Sequence, residues 1–96
     1  MPAYIVFTRE LTCDAAGLAV YSEKVGDTLI GHPVTVLAAY GRQEVLEGPS
    51  VEGVVILEFP SLEAAKAWYD SPAYRAVREH RFLSSEYRAV IVEGLS

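Results

Sequence analysis

The stretch "EFPSLEAAKAWYDSPAYRAVREHR", residues 58–81, holds two helix starts in quick succession. Ser61 precedes "LEAAKAWY" and suits an N-cap, because its hydroxyl can accept an otherwise unpaired backbone N–H. Glu63 then sits in the first turn, where the helix dipole favours negative charge. "DSP" (70–72) breaks this helix and begins another: Ser71 caps, and Pro72 takes the first helical position, where its missing N–H is not needed. In this second piece Tyr74, Val77, Arg78 and Arg81 fall on one stripe.

Working outward, "GVVILEF" (53–59) reads as the strand that feeds these helices, and "VTVLAAY" (34–40) as the strand before it. The polar segment between them contains Gly41 and Gly48, so the pair is expected to form an antiparallel hairpin, with strand extending toward Glu44–Leu46. Further upstream, "AYIVFTR" (3–9) is rich in β-branched and aromatic side chains, as a strand requires. Thr12 or Asp14 then caps a helix in which Leu18, Tyr21, Val25 and Leu29 recur at helical spacing. Gly17 and Gly26 weaken that helix by about 1 kcal/mol each relative to Ala, and "GHP" (31–33) ends it. Downstream, "YRAVIVE" (87–93) is a final strand closed by Gly94. The order β-α-β-β-α-β predicts an α+β, ferredoxin-like fold: a four-stranded antiparallel sheet with both helical segments on one face.

A sheet whose second face met water would alternate apolar and polar residues. Val54, Val55, Ile56 and Leu57 instead run without a break, and Val34, Val36 and Leu37 behave similarly. Leaving a large apolar side chain in water forgoes roughly 1.5–3 kcal/mol. The helix-free face is therefore expected to be covered, and a second subunit, giving a homodimer, is the simplest cover.

Composition narrows the functional classes. At 96 residues, 51% hydrophobic and 22% charged, residues 1–96 form a single globular domain. The net charge of −5 opposes phosphate backbones, and no basic cluster offsets it, so no nucleic-acid partner is expected. No segment approaches the roughly 20 apolar residues that span a bilayer, so no membrane partner is expected either. "MPAYIVFTRE" lacks a basic n-region and a cleavage site, and reads as mature protein from a cytoplasmic setting. Cys13 has no second cysteine to pair with; it reads as a small buried side chain. His32 and His80 stand apart without a metal-ligand spacing, so neither a metal nor another cofactor is expected. Glycine-rich nucleotide motifs and nucleophile elbows are missing as well.

With these elements in place, "EVLEG" (44–48), the run from Val54 to Arg81 and the closing "VEG" (92–94) resemble the DUF1330 family of small bacterial proteins. The resemblance spans nearly the whole chain. It implies a subunit of the dimeric α+β barrel superfamily, in which two sheets pack face to face. That superfamily includes cofactor-independent monooxygenases, isomerases, haem proteins and stress-response dimers, so it leaves the function open. This chain departs from the family pattern before "EVLEG": Ala39 stands where relatives have an arginine, and Tyr40 stands at a glycine.

Several side chains are candidates for chemistry. Glu58, at the end of a strand, is the candidate general base if it projects into a cleft between sheet and helices; otherwise it pairs with Arg78 or Arg81. Trp68, Tyr69 and Tyr74 either wall a pocket for a small apolar or aromatic molecule or simply fill the core. Arg81 is either an anion partner or half of a structural ion pair, and His32 joins the ligand-binding candidates. Two functions follow. The first is a dimeric small-molecule-binding protein that catalyses cofactor-independent isomerisation or monooxygenation. The alternative is a non-catalytic dimeric binding or stress-associated module. Whether the chain is an enzyme is left open by its sequence.

Overall fold

The computed structural model describes residues 1–95. Its elements run β1 (Ala3–Thr12), α1 (Ala15–Thr28), β2 (Thr35–Ala39), β3 (Gly53–Phe59), α2 (Leu62–Tyr69), α3 (Pro72–Ser84) and β4 (Ser85–Glu93). The four strands form one antiparallel sheet in the order β2-β3-β1-β4. This is the ferredoxin-like arrangement, with its second helical segment in two pieces. The caps lie where local chemistry puts them. The Asp14 carboxylate accepts from the backbone N–H groups of Ala16 and Gly17, Ser61 accepts from Ala64, and Ser71 accepts from Tyr74 with Pro72 beginning α3. Asp14, and not Thr12, is thus the cap of α1. None of the described helices is long and apolar enough to cross a membrane.

Strand alternation divides the sheet into two faces. Ala3, Ile5 and Phe7 of β1 lie in register with Phe59, Leu57 and Val55 of β3. These residues face the helices and form the core with Leu18, Tyr21, Ala65, Trp68 and Tyr74. The intervening residues face away. One ladder row there, Ala38, Ile56, Val6 and Val90, is apolar across all four strands. Val90 and the nearby Val92 are 54% and 51% exposed, so the helix-free face of the single subunit presents apolar side chains to solvent.

Two expectations fail. Residues 44–46 are not a strand: the segment after Tyr40 is exposed and irregular. It is held by the Gln43 side chain on the Val51 carbonyl and by Glu52, which accepts from the Thr12 hydroxyl and lies 3.1 Å from Arg9 Nε. The Thr12 hydrogen bond comes first in holding the Glu52 carboxyl below the usual range. Cys13 is exposed rather than buried, because it occupies the turn between β1 and the cap of α1.

Candidate functional site

The first helix does not lie flush on the sheet; it packs mainly against α3. Between α1 and the β2–β3 side of the sheet is a cavity of about 310 Å³. Its size falls at the lower end of small-molecule pockets, roughly 300–1,000 Å³. Phe7, Val55 and Leu57 form its floor, and Tyr21, Val25 and Leu29, the stripe read from the sequence of α1, form its roof. Trp68 closes it from within, and Tyr40 and Tyr87 complete the lining.

Trp68 is only 1% exposed. Its ring lies 4.1 Å from that of Tyr74, stacks on Phe59 at 5.9 Å and meets Phe7 edge-on at 6.3 Å. Its indole N–H donates to the Thr28 hydroxyl at 3.0 Å, which donates onward to the Val25 carbonyl at 2.6 Å. The tryptophan is thus satisfied as well as packed. The Tyr21 and Tyr74 hydroxyls are 2.8 Å apart in the interior. Burial raises both phenol pKa values above the ordinary tyrosine range, so both stay protonated at neutral pH.

Arg81 is buried at 4% exposure. Its guanidinium carbon lies 5.4 Å from the Phe7 ring centre, 5.9 Å from Tyr21, and 4.9 Å from both Tyr87 and Phe82. Three of those rings also line the cavity. Such contacts offset part of the cost of desolvating the cation. No described carboxylate forms an ion pair with it, and its Nε–H has no hydrogen-bond partner.

Tyr40 adopts φ of 56°, a left-handed conformation that is strained for a bulky residue. Its hydroxyl meets that of Tyr87 at 2.6 Å, and Arg9 lies 4.9 Å over its ring. Burial, followed by the Tyr87 hydrogen bond, raises the pKa of the Tyr40 phenol. The ring lies so close over Gly53 that a Cβ there would collide with it. Gly53→Ala is therefore expected to displace Tyr40 and destabilise the fold by about 1–3 kcal/mol. The double variant Gly53→Ala/Tyr40→Gly should recover part of that loss, because the colliding ring and its strain are both removed. Urea unfolding of the two single variants and the double variant measures the coupling; additive effects would mean that the two sites do not clash.

The residues proposed from sequence separate into groups. Trp68 lines the cavity, Tyr74 lies behind it, and Arg81 stands beside three of its rings. Tyr69 lines a different depression of about 160 Å³ beside β4, with Arg78 4.6 Å over its ring. Glu58 is a correction. It pairs in register with Tyr4 and Thr35 on the helix-free face, since alternation places it opposite to Leu57 and Phe59. It borders a shallow groove of about 420 Å³ framed by Pro2, Pro33 and Pro60, and forms no ion pair with Arg81 or Arg78. Arg78 lies nearest Asp70, at 3.9 Å. His32 is held in the turn after α1 by a backbone bond to Leu29 and borders none of these three spaces. Tyr21, Tyr40 and Tyr87 escaped the candidate list. Tyr21 falls on the stripe read in α1, whereas Tyr40 and Tyr87 carry no local sequence signal of a site.

The family pattern described as "Domain of unknown function (DUF1330)" matches residues 2–95. The chain belongs to the DUF1330 family. Among solved structures, it is similar to a protein of unknown function, RPA0582 from Rhodopseudomonas palustris, with a TM-score of 0.79 and 21% identity over 99% of this chain and 83% of that one. A dimeric protein of unknown function with a ferredoxin-like fold from Bacteroides fragilis gives 0.66 and 14% over 97% and 96%. SnoaB, a cofactor-independent oxygenase from Streptomyces nogalater, gives 0.63 and 8% over 99% and 94%. At these identities the likeness is one of fold. None of the curated proteins matches the sequence.

Proposed function

We propose that this DUF1330 protein is a homodimer in which each subunit binds a small, flat, largely apolar molecule between α1 and the sheet. The observation that carries this reading is the cavity of about 310 Å³, bounded by aliphatic and aromatic side chains that include three tyrosines. The dimeric ferredoxin-like neighbour and the oxygenase SnoaB share the fold, which supports association and is compatible with cofactor-independent oxygenation or isomerisation. A non-catalytic binding module is the second reading. It is favoured by a lining with neither a carboxylate nor a histidine to take a proton, Glu58 being on the other face.

The protein has one tryptophan, and it forms part of the cavity wall, so occupancy can be followed directly. Naphthalene derivatives titrated into the protein should change Trp68 fluorescence saturably. Val25→Trp would confuse that signal, so Val25→Phe is the better plug; it should weaken binding at least about tenfold, equivalent to roughly 1.4 kcal/mol. Unchanged affinity in a folded Val25→Phe protein would place the binding elsewhere. Turnover assays on the same compounds separate enzyme from binding module.

A further inference from the structure

Arg81 is a buried cation beside a binding cavity, and nothing described in the chain neutralises it. The groups facing it are phenols: Tyr74 on its own helix, whose hydroxyl is the guanidinium's polar neighbour, Tyr21 from α1, Tyr69 from α2, Tyr87 from β4 and, farther away, Tyr40. The acidic residues Glu23, Glu79 and Glu86 are exposed on the surface and do not pair with it. A desolvated charge is normally balanced by a partner of opposite sign or by hydrogen bonds, and here the Nε–H lacks even the latter. The Tyr21–Tyr74 pair adds direction. Either hydroxyl can donate across their 2.8 Å contact; a ligand oxygen in the cavity that Tyr21 lines can accept the Tyr21 O–H only when Tyr74 takes the donor role to Tyr21.

We infer that the cavity's ligand carries an ionisable oxygen on an unsaturated ring, a phenol or an enol, and is bound as its oxyanion with Arg81 supplying positive charge and Tyr21 a hydrogen bond. The inference rests on the pocket reading above. The ligand's O–H bond breaks on binding, its proton passes to solvent, and the electron pair stays on the oxygen, delocalised into the ring. A single delocalised oxyanion suits this enclosure better than a phosphate, whose several charged oxygens would find few donors among apolar walls.

4-Nitrophenol tests this, because its visible absorption reports ionisation. With protein in excess, the pH midpoint of the bound dye should fall by about one unit, a tenfold preference for phenolate over phenol. 4-Nitroanisole, which cannot ionise, should bind at least about tenfold more weakly at a pH where the dye is ionised. Arg81→Met should abolish the midpoint shift. If that variant does not fold, Tyr21→Phe should reduce the shift, weakening 4-nitrophenolate by a larger factor than 4-nitroanisole. Equal binding of dye and anisole, with an unmoved or raised midpoint, overturns the oxyanion inference but leaves the pocket standing. Failure of both compounds and of naphthalene to bind overturns the pocket reading itself. Saturable binding of benzoate with no binding of 4-nitrophenol overturns the phenol assignment in favour of a carboxylate.

Discussion

Trp68→Ala is expected to lower the unfolding free energy by about 3–5 kcal/mol, the range for deleting a buried aromatic side chain. The ring touches Tyr74, Phe59 and Phe7, and its N–H satisfies Thr28. Its removal therefore joins a new void to the existing cavity and frees the only clamp described between α2 and the end of α1. Domains of this size have roughly 5–15 kcal/mol to lose, so the variant should lie close to its folding threshold. Trp68→Phe keeps much of the packing and loses the hydrogen bond, and should cost less than half as much. Urea denaturation of the two variants decides the point. A Trp68→Ala protein within 1 kcal/mol of wild type would mean that the indole is a dispensable pocket wall rather than the centre of the core.

The second large effect concerns the other side of the sheet. Ile56→Lys puts a charge in the middle of the apolar row Ala38, Ile56, Val6 and Val90. In a two-fold dimer each substitution occurs twice, and burying unpaired charges should cost about 3 kcal/mol or more, roughly a hundredfold in Kd. Sedimentation velocity should show dimeric wild type and a monomeric variant. Circular dichroism should show that the variant keeps its secondary structure, because Ile56 belongs to no part of the helix-side core. A wild-type monomer at micromolar concentration, or an undisturbed Ile56→Lys dimer, would move the interface away from this face.

The fold was readable because its signals are local. Ser61, Ser71, Pro72 and Asp14 mark helix starts by the hydrogen bonds their own side chains can make within three residues, and strand periodicity marks the rest. "EVLEG" misled because strand-like composition has no effect without a neighbouring strand to pair with, and residues 44–46 have none. The site was half readable. The Tyr74–Arg81 stripe and Trp68 follow from helical spacing, and both reach the cavity region. Glu58, as a strand-end carboxylate, reads as a cleft-facing base or a partner for Arg78 or Arg81, yet the alternation that buries Leu57 and Phe59 sends it to the opposite face. The hydroxyl contacts Tyr21–Tyr74 and Tyr40–Tyr87 join residues far apart in the chain. No local pattern encodes such contacts; they follow only once helices and sheet are assembled.

The strand order has a consequence for how the molecule is made. β1 is synthesised before the other three strands yet lies inside the sheet, and Ala3 must wait for Phe59 on one side and Glu93 on the other. Until β3 and β4 have left the ribosome, "AYIVF" has two unpaired edges and an apolar surface, the condition in which nascent chains are most prone to associate with one another. Most of the stabilising contacts of β1 are long in sequence and are complete only once β4 has been made, so the domain should fold largely after synthesis of β4, at the slower pace of non-local topologies.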